Sequence, residues 1–274
     1  MNMKRFLYNV GLYLTIICLI VLAINWLYVK KAYNSNDVVP SDIKICNLGS
    51  SHGVHSYYYS DLESQYVCYN FALDSQSWSY DARILDYNQE KLAPGGVVIV
   101  DISYFNPWGQ PETDEDDFES KNKRYYNILP PELIKEYDFY TDVMVNRLPS
   151  LNAGIDRVVM TVLSPKKNSD SKHLSYPEID DKVDPSKLEE DAKATCQRHI
   201  FKNKRDDSGE LIINQEEIQA LYRIVEICKK QNVTPIFVTC PYLKEYTDEI
   251  TSEDADFYDQ FYNLINDIAR QLGV

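Results

Sequence analysis

Residues 43–53 read IKICNLGSSHG. Ile43 to Leu48 form a short strand-like run, closed at once by Gly49-Ser50-Ser51-His52-Gly53. Gly49 permits a sharp turn that a side chain would obstruct. A serine placed where a strand turns into a helix carries its hydroxyl above the sheet. The N–H groups at the new helix start face any anion formed there. The stretch therefore sets the first strand of an α/β sheet and puts Ser51 at its carboxyl end.

Outward from this turn, strands and helices alternate. Val67 to Ala72 (VCYNFA), Val97 to Ile102 (VVIVDI) and Pro235 to Thr239 (PIFVT) read as further strands, VVIVDI being the near-continuous β-branched run expected of a strand covered on both faces. Between them, Gln76 to Leu92 carries Trp78, Ala82, Leu85 and Leu92 on one helical face and ends at Pro94-Gly95-Gly96. Ile218, Leu221, Tyr222, Val225 and Cys228 mark another helix, and Phe257, Phe261, Leu264, Ile265, Ile268 and Leu272 a strongly amphipathic last one. This alternation predicts a parallel, doubly wound sheet. Residues 107–210 break the rhythm. They hold an acidic loop (Glu112 to Glu119), a Ser/Lys/Asp-rich stretch (Leu163 to Val183) and a helix with a capping box of Ser186 and Glu189. The expectation is an insertion that covers the sheet's carboxyl edge, where ligands bind in open α/β folds.

Phe6 to Val29 is an uncharged run of 24 residues, FLYNVGLYLTIICLIVLAINWLYV. At ~1.5 Å per residue it spans the ~30 Å hydrocarbon layer with some tilt. No small-residue cleavage site follows, so an uncleaved anchor is expected rather than a signal peptide. The organisation read here is a cytoplasmic tail (1–5), a transmembrane helix (6–29), a linker (30–41) and one extracytoplasmic domain (42–274). The inside placement of the tail follows the usual signal-anchor arrangement, because Lys4 and Arg5 balance Lys30 and Lys31.

The 42 acidic residues outnumber 28 basic ones, for a net charge of −14. Such a surface repels phosphate backbones and excludes nucleic acid as a partner. Six cysteines without metal-type spacing exclude a zinc ribbon or redox dithiol, and Cys46 and Cys240 read as buried inert thiols. Asp114-Glu115-Asp116-Asp117 lacks the turn glycine and alternating ligands of a calcium loop, so no metal is expected. Tyr57-Tyr58-Tyr59 and Tyr125-Tyr126 could stack on sugar rings, although such clusters more often serve packing.

The turn Gly49-Ser50-Ser51, the segment Tyr69 to Ser77 (YNFALDSQS) and the segment Val98 to Asn106 (VIVDISYFN) resemble the first three sequence blocks of the SGNH (GDSL-like) hydrolase superfamily. With the anchor, they resemble a membrane-bound branch that includes a teichoic acid D-alanylation protein and alginate and cell-wall O-acetyltransferases. The resemblance covers Ile43 to Ser103 and Leu211 to Val274. It implies a three-layer α/β/α fold and a serine acyltransferase or esterase acting on O-acyl, most simply acetyl, groups of a cell-surface glycan. It implies no cofactor, and a multi-spanning membrane acyltransferase as partner. Ser51 would be the nucleophile. Ser75 or Gln76 would take the place of the family's oxyanion-hole glycine, and Ser103, Tyr104 or Asn106 that of its asparagine, with Ser103 favoured and Asn106 second.

One family feature has no counterpart. The Asp-x-x-His motif after a final strand is absent, because the last helix ends at Leu272 and the sequence stops at Val274. A sheet one strand short is expected, with truncation favoured over evolved inactivity. His52 and His55 share the serine's own turn, and His173 and His199 read as surface residues of the insertion, so no histidine is expected within hydrogen-bond reach of Ser51. The alternative from another class is an inactive scaffold or glycan-binding subunit of a polysaccharide modification or export assembly.

Overall fold

The computed structural model describes residues 3–32, 39–109, 122–163, 187–202 and 204–274. In chain order the elements are α1 (Met3–Ala32), β1 (Ile43–Leu48), α2 (Ser51–Ser56), β2 (Cys68–Asn70), α3 (Trp78–Asn88) and β3 (Leu92–Asp101). There follow α4 (Phe139–Asp142), α5 (Pro149–Asn152), α6 (Ile155–Leu163), α7 (Leu188–Cys196), α8 (Gln215–Lys230), β4 (Thr234–Val238), α9 (Lys244–Glu253) and α10 (Phe257–Leu272). The chain divides into two compact units: residues 1–38 with 116–171, and residues 39–115 with 172–274.

The second unit is built on a parallel sheet in the order β2-β1-β3-β4. The α/β reading thus holds. From β1 the chain steps outward to β2, then back across to β3 and on to β4. With right-handed crossovers those opposite steps put α2 on one face and α3 and α8 on the other. α3 and α8 pack against each other there. The strand order changes direction between β1 and β3, and the carboxyl ends at such a switch point are the usual ligand position in such sheets. Four strands are present among the described residues.

Several boundaries differ from expectation. β2 is only Cys68–Asn70: Phe71 N–H still bonds Asn47 O of β1, but the next N–H, of Ala72, is taken by the side chain of Asn70. Leu92, expected on a helix, begins β3, and the chain crosses Pro94-Gly95-Gly96 without leaving the sheet. The pairing jumps from Ile43↔Leu92 to Ile45↔Val97, so the glycines sit in a bulge. At Gly96 a Cβ would lie 2.7 Å from the Lys44 carbonyl oxygen, so only glycine fits. α7 begins after Lys187 with no side-chain cap, and Ser186 of the expected capping box lies outside the described residues.

The insertion also divides. Its ends are pinned side by side, with Trp108 bridging Ile213 and Gly109 N–H donating to Ile212 O at 2.8 Å. Residues 116–171 group with α1, whereas residues 187–210 stay with the sheet.

α3 is capped from a distance. Ser77 precedes it without a side-chain cap, and the carboxylate of Glu217 on α8 instead accepts from Trp78 N–H at 2.6 Å. Glu217 is buried, and its own helix starts at Asn214, whose side chain accepts from Glu216 and Glu217 N–H. Replacing Glu217 by Ala leaves a buried helix end without an acceptor. We expect a loss of about 1–3 kcal/mol, and a smaller one for Glu217→Gln, which retains an acceptor oxygen. Thermal unfolding of the full chain in detergent measures both.

Candidate functional site

β1 ends in a tight crossing. Gly49 has φ +134°, and a Cβ there would lie 2.5 Å from the Cβ of Asp101 at the end of β3. The missing side chain thus lets two neighbouring strand ends close up. Gly49 N–H donates to Asp81 Oδ1 of α3 at 2.9 Å. Ser50 follows as the fully buried N-cap residue, and Ser51, half-buried, opens α2.

A buried amide network holds this turn. Asn47 Nδ2 donates to Gly53 O and to Asn70 Oδ1, each at 2.9 Å, while Tyr59 OH donates to Asn47 Oδ1 at 2.9 Å. Asn70 Nδ2 donates to Gly53 O at 3.2 Å, and Ala72 N–H donates to Asn70 Oδ1. The polar residues that end β1 and β2 therefore clamp the short helix onto the sheet. Gly53 fits between Ala72 and the Leu48 carbonyl, where a Cβ would come within 2.9 Å of both.

The carboxyl edge gathers groups that are far apart in sequence. Asp101 is fully buried, and its Oδ2 accepts from Ser103 Oγ at 2.7 Å. Burial pushes its carboxyl upward; the Ser103 hydroxyl and the nearby His52 ring pull the other way. Burial likewise lowers His52, with Asp101 opposing, so the ring favours its neutral form. His52 lies edge-on to Tyr242 with centroids 4.4 Å apart, and its Nδ1 is buried without a hydrogen bond. The rings of His52, Tyr242, Tyr246, His199 and Phe105 form a closed circuit with neighbouring centroids 4.4–6.3 Å apart. Cys240 is buried beside them, 3.8 Å from Tyr57 OH, and burial raises its thiol as it raises Cys46. Both are free thiols.

Each expected site residue can now be placed. The Ser51 hydroxyl makes no hydrogen bond to any described residue, and none of the described histidines bonds it. Ser75 is exposed in the turn after β2 with φ +55°. Gln76 is committed elsewhere: its Nε2 donates to Phe71 O and to Asp81 Oδ1, and its N–H to Leu73 O. The Ser103 proton is spent on Asp101. Asn106 is different, because its Nδ2 is buried and has no acceptor among the described residues. It follows Phe105, whose ring centroid lies 6.0 Å from that of His52.

Tyr59 bonds Asn47, and Tyr125 and Tyr126 are buried in the other unit, so three of the candidate sugar-stacking tyrosines serve packing. Among the described residues no three metal-type side chains come together. Asp114 to Asp117 and His173 lie outside the described residues.

Sequence reasoning missed Asp81, Asp101, Tyr242 and the position of His199. Asp81 did leave a signal, because it lies three residues after Trp78 and four before Leu85, on the apolar face of α3. An acid there is a buried acid. Asp101 closes the apolar run VVIVD in the same way.

No family model matches this chain, and neither the curated proteins nor the solved structures yield a match.

Asp81 supplies a pH test. Its Oδ2 is buried without a partner, and burial pushes its carboxyl from 3.8 up to about 8, against the bonds from Gln76 and Gly49. The folded chain then holds a proton that the unfolded chain releases above pH ~4, so stability falls as pH rises from about 4 to about 8. Asp81→Asn keeps an acceptor oxygen and does not titrate. Its melting temperature should gain on the parent's steadily across that window; a constant difference from pH 4 to pH 8 would contradict the assignment.

Proposed function

We propose that the chain is a membrane-anchored, SGNH-like serine acyltransferase or esterase acting on O-acyl groups, most simply acetyl, of a cell-surface glycan. The observation that supports it is the placement of Ser51. It stands at the carboxyl end of β1, where the strand order changes direction between β1 and β3, with its hydroxyl bonded to no described residue and its turn clamped by Asn47 and Asn70. The unpaired amide of Asn106 adds a second support, since a buried donor with no acceptor suits an oxyanion formed only during reaction.

In this reading Ser51 Oγ bonds to the acyl carbonyl carbon while its proton passes to a base. The carbonyl oxygen takes up the negative charge and receives hydrogen bonds from Ser51 N–H and the Asn106 amide. Collapse breaks the bond to the donor alkoxide, which takes the proton back. A sugar hydroxyl or water then repeats the sequence on the acyl-serine. The base comes from a partner, such as a multi-spanning membrane acyltransferase, or from residues outside the described ones. α1 is long and apolar enough to cross a membrane. We take it as a single-pass anchor for a domain outside the cell membrane.

A second reading, an inactive scaffold or glycan-binding subunit, is favoured by one observation: the buried acid and imidazole at this edge, Asp101 and His52, do not form a relay to Ser51. Release of 4-nitrophenol from 4-nitrophenyl acetate by the full chain in native membranes separates the two. The enzyme reading expects release that Ser51→Ala abolishes and Asn106→Ala lowers roughly 100-fold. Release unchanged in Ser51→Ala, or absent from the parent chain, supports the scaffold.

A further inference from the structure

α1 is exposed along most of its length, and Val21, Asn25, Tyr28 and Val29 are the described α1 residues that are covered. Spaced at four, three and one residues, they make one stripe near the helix's carboxyl end. α5 and α6 pack against α1. Asn25 fixes that packing: its Nδ2 donates to Arg147 O at 2.9 Å, and its Oδ1 accepts from Ser150 Oγ at 2.9 Å and Ser150 N–H at 3.2 Å. An amide in an apolar helix thus makes three hydrogen bonds that hold residues 147–150 beside it.

The depth of that clasp follows from helix geometry. Counted from Phe6, about 20 residues at ~1.5 Å each cover a ~30 Å hydrocarbon layer, which ends near Asn25. Trp26 and Tyr28 then fall where amphipathic rings favour the membrane–water interface. The segment clasped by Asn25 therefore sits at the same level.

α6 (IDRVVMTVL) presents an unusual surface at that level. Val158 is its buried residue, while Ile155, Val159, Met160 and Leu163 are 79%, 46%, 67% and 77% exposed. Ile155, Val159 and Leu163 recur at four-residue intervals and so share one face. Arg157 and Thr161 lie on the opposite side, and Asp156 at its margin. Four large apolar side chains exposed on nine residues exceed what a water-facing helix normally shows.

We infer that α6 is an interfacial helix whose outer apolar face lies in the bilayer beside α1, making residues 147–163 a second membrane contact of the anchor unit. The occupant is lipid, because the exposed face continues the apolar surface of α1 at the depth Asn25 sets. Acid and base are mixed on the neighbouring segments, so insertion rather than charge attraction carries the contact. The inference rests on α1 spanning a bilayer.

Cysteine labelling in nanodiscs tests it on the full chain. Cys18→Ser removes the exposed thiol and leaves the five buried ones. Single cysteines at Ile16, Arg157, Val159 and Leu163 are then labelled with an environment-sensitive NBD dye and challenged with doxyl lipids. The expected result is quenching at 159 and 163 by doxyl groups near the headgroups, quenching at 16 by deep ones, and none at 157. Quenching at 16 with none at 159 and 163 overturns the inference and leaves the anchor intact. Protection of 159 and 163 from an aqueous quencher without lipid quenching also overturns it, since a protein then covers the face. Lack of quenching at all positions removes the anchor reading itself.

Discussion

The close contact between Gly49 and Asp101 governs the carboxyl edge of the sheet. β1 and β3 are adjacent parallel strands, and where they end the chain must turn into α2 with no room for a side chain at residue 49. The positive φ of Gly49 and the absence of its Cβ let Asp101 press against the turn. That contact sets a buried carboxyl, which also accepts from Ser103, against the turn of the candidate nucleophile and gives His52 an acidic neighbour. A larger residue at 49 would push the turn away from Asp101.

Burying acids at this edge is costly unless they are protonated or well bonded. Asp81 and Asp101 flank the turn from α3 and β3, and Glu217 stands behind Asp81 on α8. Like charges in one dry region raise one another, which favours keeping a proton among them. The donors placed here, Gln76, Ser103, Gly49 N–H and Trp78 N–H, satisfy part of the demand. Asp101 Oδ1, Ser50 Oγ, His52 Nδ1 and the Asn106 amide retain unused bonding capacity. A site that keeps unpaired polar atoms in its interior is built for something other than maximal stability.

Much of the fold was legible because it depends on local pattern. The run IKICNL ahead of GSS marked β1, the β-branched run VVIVD marked β3, and the apolar stripe from Phe257 to Leu272 marked α10 with its bounds. The early start of β3 was not legible, since Pro94-Gly95-Gly96 reads as a stop unless the partner strand is known to bulge against it. Ser51 could be placed from sequence, but what surrounds it could not. His199 and Tyr242 reach the site through tertiary packing of a π-helical turn and the segment after β4, for which no local spacing gives a sign. The acidic neighbours were visible only as acids on apolar faces. The division of the insertion between two units likewise comes from long-range contacts such as Asn25 with Ser150.

The central claim is that one serine at this edge is set apart as a nucleophile, although Ser50, Ser51 and Ser103 all lie there. Labelling the full chain in membranes with a fluorophosphonate, followed by peptide mapping, tests it most directly, because the probe marks only a hydroxyl that attacks. The account predicts one modified residue, Ser51, with Ser50 and Ser103 unmodified because both are fully buried. Modification of another serine, or of none, would contradict it.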